Sequence, residues 1–178
     1  MTPSARGAAG WPAGWSAAEL DRPGTLVYGV GNLGRRDDGL GWAFVDALER
    51  PGHAGWQLHR GYQLQIEDAD LIASFARVLV VDATRAADVS SYQLGVPAPA
   101  YEVPFTSHAL TVPTVLATCR DCFGRLPEVR TLAIRGHAWD LRVGLTQAAR
   151  RHLADALEAF AAAPAGRPTH HLTAAGRR

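Results

Sequence analysis

The sequence is poor in the features that mark several large classes of protein. It has two cysteines, Cys119 and Cys122, which are too few for the disulfide framework of a small secreted domain. Its formal net charge of +1 offers no broad basic face to nucleic acid or to an anionic membrane. No apolar run approaches the ~18 residues that a membrane-spanning helix needs. These absences favour a globular protein of a reducing compartment, and we expect the cytoplasm.

The length of 178 residues suits one domain with a substantial core. Residues 1–24 are rich in Ala, Gly and Pro and contain no uninterrupted apolar segment, so we expect a flexible extension rather than a signal peptide. Residues 163–178 have a similar composition, and we expect a flexible tail. Residues 25–162 are therefore predicted to form a single α/β domain.

Short apolar runs alternate with helical periodicity throughout that domain. The best strands are residues 25–30, 77–83 and 129–134, with weaker strands at 56–62 and within 91–105. Amphipathic helices are expected near residues 40–48, 66–75, 112–123 and 146–160. This order predicts a three-layer α/β/α sandwich whose twisted, mostly parallel sheet has about five strands. In such sheets, ligands bind outside the carboxyl ends of the strands.

Four polar residues, in three separate segments, are predicted to reach that edge. Asp37 and Asp38 follow the first strand, Asp82 ends a strand of four aliphatic residues, and His108 precedes the third helix. Taken singly, each aspartate is as readily a helix cap or a turn residue, and the histidine a surface residue. Together, carboxylates and an imidazole suit Zn²⁺, Ni²⁺, Mn²⁺ or Fe²⁺ with coordination positions left open.

The glycine pattern Gly29-x-Gly31-x-x-Gly34 has the spacing of a dinucleotide-binding loop. Its surroundings argue against that function, because no acid ends the second strand and the two aspartates would repel a pyrophosphate. The Gly-x-Gly-Asn start also resembles the peptidyl-tRNA hydrolases, but the histidine and asparagine that follow it in that family are missing here. A dinucleotide-binding module remains an alternative, although we expect no nucleotide cofactor.

Four segments together resemble the hydrogenase maturation proteases, the endopeptidases that finish the large subunit of [NiFe] hydrogenases. The first is VYGVGNLGRRDDGLGWAFVDAL at residues 27–48. The others, in the same order as in the family, are QLQI followed by VLVVDA, FTSHALTVPTVLATC, and LPEVRTLAI with the helix start after Gly144. The resemblance covers roughly residues 25–157.

The resemblance implies the site and its chemistry. Asp38, Asp82 and His108 would be the catalytic residues and the ligands of nickel, which the substrate precursor carries. The enzyme would cut once near the C-terminus of the large-subunit precursor and release a short extension. We expect a monomer with neither a nucleic-acid nor a membrane partner. A metal-binding assembly factor that holds the large subunit without cutting it would have the same ligands.

Two further groups of residues have supporting roles: those that shape the loop of Asp38, and those that depart from or add to the family's pattern. The loop that presents Asp38 is expected to depend on Gly31, Asn32, Asp37 and Gly39. Substrate contacts are predicted for Arg35, Arg36, His137 and Trp139.

Overall fold

A five-stranded sheet forms the centre of the computed structural model, which describes residues 11–49, 55–101 and 110–162. Its strands are β1 (Thr25–Val30), β2 (Trp56–Gly61), β3 (Arg77–Thr84), β4 (Tyr92–Gly95) and β5 (Glu128–Arg135), in the spatial order β2-β1-β3-β5-β4. Four strands run parallel, and β4 pairs with β5 in the antiparallel direction. The predicted mostly parallel sheet is confirmed.

The burial of the strands explains their order. All six residues of β1 are buried, as are the four aliphatic residues 78–81 of β3, and these two strands are neighbours in the sheet. A parallel strand covered by helices on both faces needs such continuous apolar sequence. The short β4 is an edge strand, and its last residue, Gly95, comes two residues before Pro97, which has no N–H to donate.

Helices cover both faces of the sheet. They are α1 (Ala17–Leu20), α2 (Leu40–Leu48), α3 (Asp68–Ala73), α4 (Val112–Phe123) and α5 (Gln147–Ala162). One core lies between the sheet and helices α1, α2 and α5, and a second lies between the sheet and helices α3 and α4. The three-layer α/β/α architecture is therefore confirmed.

Helix α4 shows how local sequence fixes an element. The side chain of Thr111 accepts a hydrogen bond from the backbone N–H of Thr114, and Pro113 occupies the first turn. Gly124 ends the helix in the left-handed conformation, with φ of 61°. The buried face includes Cys119, whose thiol donates to the carbonyl oxygen of Ala69 in α3 at 3.3 Å.

The predicted flexible extension is wrong for residues 11–24. Ser16 and Glu19 form a capping box at the start of α1, and Leu20 is fully buried. The indole of Trp15 is also buried, with the guanidinium groups of Arg77 and Arg130 at 5.8 and 5.6 Å from its ring centre. This segment therefore closes one end of the core beside the first residues of β3 and β5.

Residues 1–10 and 163–178, which include the predicted tail, lie outside the described residues. Among the helices that the structure describes, none has the length and apolar character required to cross a membrane.

Candidate active site at the carboxyl edge of the sheet

The order of the strands creates a crevice between the ends of β1 and β3. Helix α2, which follows β1 and leads to β2, packs against one face of the sheet, whereas α4, which follows β3 and β4 and leads to β5, packs against the other. The connections that leave β1 and β3 therefore run toward opposite edges of the sheet. Such a switch point is where open α/β sheets bind their ligands. Asp38 follows β1, and Asp82 is the third residue from the carboxyl end of β3.

Two glycines of the fingerprint, Gly29 and Gly31, are explained by packing within the chain. A side chain on Gly29 would overlap the carbonyl group of Gly41 in α2, and one on Gly41 would overlap the carbonyl oxygens of Val30 and Val81. Gly31 has φ of 138°, and a Cβ there would collide with the carbonyl oxygen of Asp38. The glycines thus allow the Asp38 loop and the start of α2 to approach the strand ends closely.

Asp38 lies in a short 3₁₀ helix, Arg36–Gly39, directly before α2. Its Oδ2 accepts a hydrogen bond from the backbone N–H of Asn32 at 3.1 Å, and the amide oxygen of Asn32 accepts from the backbone N–H of Gly34 at 2.8 Å. Asn32 therefore shapes the loop through both its backbone and its side chain. Gly39 is the N-cap of α2, and no side chain caps that helix, so neither aspartate has the capping role considered above.

Asp37 is fully buried and bonds to a loop about a hundred residues away. Its Oδ2 accepts from the backbone N–H groups of His137 and Ala138 at 2.8 and 3.0 Å and from the hydroxyl of Thr146 at 2.9 Å. Its Oδ1 accepts from the backbone N–H of Thr146 at 2.7 Å. Burial alone would raise the pKa of Asp37, but these four hydrogen bonds outweigh it and hold the pKa below its usual value.

The hydrogen bonds of Asp37 join the loop after β1 to the loop between β5 and α5. Asp37 therefore supports the backbone on which Asp38 sits. Sequence reasoning missed Thr146 as a partner, because no local pattern connects residues 109 positions apart.

Asp82 has a pKa well above the usual value for an aspartate. Its side chain is open to solvent, yet protein atoms surround it on the other sides, and the resulting desolvation raises its pKa to about 6. The backbone N–H of Ala83 donates to Oδ1 at 2.7 Å and opposes this shift. The charge of Asp38 adds to it, so the two carboxylates interact electrostatically.

The two carboxylates match the chemistry of ligands for a divalent cation. Each has one oxygen bound by a backbone N–H, and the other oxygen makes no hydrogen bond to any described residue. The third predicted ligand, His108, lies outside the described residues. Within residues 11–49, 55–101 and 110–162, no three His, Cys, Asp or Glu side chains form a group that could hold a metal ion.

The residues predicted to contact substrate surround this edge on two joined loops. The backbone N–H of Arg36 donates to the carbonyl oxygen of Arg142 at 2.8 Å, and its side chain pairs with Asp140 at 3.3 Å. Trp139 packs below the guanidinium of Arg85, which lies 4.3 Å from the ring centre. Arg35 and His137 are exposed on the same loops.

A doubly wound α/β protein with a pair of carboxylates at its switch point is the class that these features define. Several solved structures with a similar fold are hydrogenase maturation enzymes. One of them is the hydrogenase maturating endopeptidase HybD from E. coli, to which this chain is 23% identical. The alignment covers 75% of this chain and 87% of HybD, with a TM-score of 0.63.

Two further solved structures with a similar fold are also hydrogenase maturation proteases. The hydrogenase 3 maturation protease is 18% identical over 79% of this chain and 91% of its own, with a TM-score of 0.60. The [NiFe] hydrogenase maturation protease HycI from Thermococcus kodakarensis is 14% identical over 75% and 87%, with a TM-score of 0.55. No family model and no curated protein matches the chain by sequence. The chain has the fold of the hydrogenase maturation endopeptidases.

Proposed function

We propose that this protein is an endopeptidase of hydrogenase maturation. Its substrate is the nickel-loaded precursor of a [NiFe] hydrogenase large subunit, from which it removes a short C-terminal extension. The metal belongs to the precursor, and Asp38, Asp82 and His108 recognise it. On this proposal, cleavage is tied to nickel because the precursor engages the site fully only after the metal has been inserted.

The observation that carries the proposal is the position of two carboxylates in this fold. Asp38 and Asp82 flank the switch point of a sheet whose structural neighbours are named hydrogenase maturation endopeptidases. Each carboxylate keeps an oxygen that no described residue occupies. Hard and borderline divalent cations accept such oxygen ligands, and an imidazole completes a mixed set suited to nickel.

The chain's own residues position and polarise the reacting groups. Asn32 and Asp37 fix the loop of Asp38, so that its carboxylate meets the precursor in a defined place. Without metal, the pKa of Asp82 is raised to about 6, so its carboxyl group is mostly ionised at neutral pH, as a ligand of a metal ion must be. Bound nickel would supply Lewis acidity toward a carbonyl oxygen or a water molecule.

Recognition of the precursor extends beyond the metal. We assign substrate contacts to Arg35, Arg36, His137 and Trp139, because the loops that carry them adjoin Asp38 through the hydrogen bonds of Asp37. We further propose that the protein acts as a monomer in the cytoplasm, where the large subunit is assembled.

The decisive experiment incubates the purified protein with nickel-loaded precursor and measures the intact mass of the large subunit. We expect the mass to fall by that of a C-terminal peptide. Asp38→Asn should remain folded and leave the mass unchanged. Asp70→Asn, an identical change on an exposed helical position, should cleave like the wild type. Normal cleavage by the Asp38 variant would remove that residue from the site.

The same assay separates proteolysis from the assembly-factor alternative. A protein that binds the precursor stably, without any change in its mass, would be an assembly factor. In the source organism, deletion of the gene should leave the large subunit heavier by the same peptide. An unchanged mass in that strain would contradict a dedicated protease for that subunit.

A further inference from the structure

Large apolar side chains are exposed at two separate places on the described surface. Five of them, Leu33, Tyr62, Ile66, Leu141 and Val143, lie on the loops that follow β1, β2 and β5, at the same edge as the candidate site. The remaining four lie after β4 or around the end of α4, away from that edge. Exposed apolar surface that is concentrated beside a candidate active site marks a place where a partner binds.

Leu141 and Val143 are the most exposed members of this set. Their side chains are 87% and 81% exposed, and Arg142 lies between them. The backbone around them is fixed, because the carbonyl oxygen of Arg142 accepts from Arg36 and the flanking residues bond to buried Asp37. The loop thus holds two apolar side chains in water in a defined position, and their burial by a partner would be favourable.

The charges around these side chains are mostly positive. Arg35 and Arg142 are exposed, and an isolated parallel β-bridge joins their backbones. Neither side chain forms a salt bridge to any described residue. Arg85 adds a third cation where it stacks over the Trp139 ring. The one exposed acid in this loop, Asp140, is already paired with Arg36. A complementary partner must therefore present carboxylates next to apolar side chains.

We propose that Arg35, Leu141, Arg142 and Val143 form a docking surface, here called the arginine platform. Its occupant is an acidic, apolar segment of the precursor polypeptide close to the bond that is cut. The proposal rests on the proposed function for the identity of the partner. Charge complementarity and buried apolar contact supply the affinity, while Asp38 and Asp82 remain free for the reacting part of the same precursor.

Adjacent residues at the other end of the molecule provide a matched control. Leu141→Ser with Arg142→Glu changes the platform, and Leu126→Ser with Arg125→Glu makes the same two changes beside β5's first residue. Leu126 is 53% exposed, and Arg125 is also exposed. Both double variants carry the same change in charge and the same Leu→Ser replacement, although Leu126 is less exposed than Leu141. Thermal melting should show that both remain folded.

Binding of the nickel-loaded precursor is measured by surface plasmon resonance, and cleavage is measured separately by intact mass. We expect the platform variant to bind at least about tenfold more weakly and to raise KM in parallel, with kcat unchanged at saturation. The control variant should stay within about twofold of the wild type. Higher salt should weaken wild-type binding more than that of the platform variant.

The outcomes distinguish the two proposals. If the wild type cleaves and both variants bind equally well, the platform is wrong and the proposed protease function stands. If the wild type binds without cleaving and only the platform variant binds weakly, the platform stands and the protease function is wrong. A wild type that fails to bind the precursor would overturn the platform as its docking surface.

Discussion

Replacing Asp37 by asparagine tests how the loop that carries Asp38 is held. The carboxylate accepts four hydrogen bonds from donors in the loop between β5 and α5. An asparagine offers one oxygen, and its NH₂ group must face at least one of those donors. A hydrogen bond to a charged group contributes about 1.5–3 kcal/mol, against about 1 kcal/mol for a neutral pair, and an unpaired buried donor adds a desolvation penalty.

The expected loss for Asp37→Asn is roughly 2–4 kcal/mol in the free energy of unfolding. For a chain of this size, that corresponds to a decrease in Tm of roughly 4–16 °C, measured by circular dichroism. Asp140→Asn is the control, because it breaks the exposed pair with Arg36 on the same loops and should change stability by less than about 1 kcal/mol. If both variants melted like the wild type, the four-bond account of Asp37 would be refuted.

The same pair of variants has a defined pH dependence. The pKa of Asp37 is lowered in the folded state relative to the value of 3.8 for an unperturbed aspartate. Its contribution to stability is therefore complete above the unfolded pKa and is lost as pH falls through the folded pKa. The difference in Tm between wild type and Asp37→Asn should be constant near neutral pH and should shrink below pH 3.8. A difference that grew on acidification would contradict this sign.

Three further predictions follow from the site and the core. Trp15→Ala should lower the free energy of unfolding by about 3–5 kcal/mol in chemical denaturation, because the buried indole leaves a cavity, whereas a flexible segment would give no change. Gly31→Ala should destabilise the protein more than Gly144→Ala in the same assay. Both glycines have positive φ, at which an alanine is strained by roughly 1–3 kcal/mol. Of the two, only the Cβ added at Gly31 would also collide with the backbone of Asp38. Asp82→Asn should raise Tm at pH 7 in the presence of a chelator, since the raised pKa means that the charged form destabilises the fold. That gain should disappear below about pH 4, and a gain that increased on acidification would refute the assignment.

The sheet was predictable from the sequence because each strand carries its own signal. Continuous apolar residues at 78–81 identify a strand buried on both faces, and the alternation with helical periods identifies a parallel sheet. Because ligands of such sheets bind outside the carboxyl ends of the strands, the sequence alone predicts that Asp38 and Asp82 lie at the same edge.

Two features escaped sequence reasoning for different physical reasons. Helix α1 has a local signal, the capping box from Ser16 to Glu19, but the Ala- and Gly-rich composition around it suggested disorder. The supporting role of Asp37 was expected, but its partners have no local signal at all, because the donors at His137, Ala138 and Thr146 are brought to it only by the tertiary fold.

The long sequence separation between Asp37 and its partners affects when this part of the protein can fold during synthesis. The donors lie 100 to 109 residues after the carboxylate. During synthesis, the loop of Asp38 therefore stays without its long-range support until the segment up to Thr146 has left the ribosome. Contacts between such distant residues form late, because a long loop must close first. A chain that ends before Thr146 lacks at least two of the four hydrogen bonds to Asp37, and one that ends before His137 lacks all four.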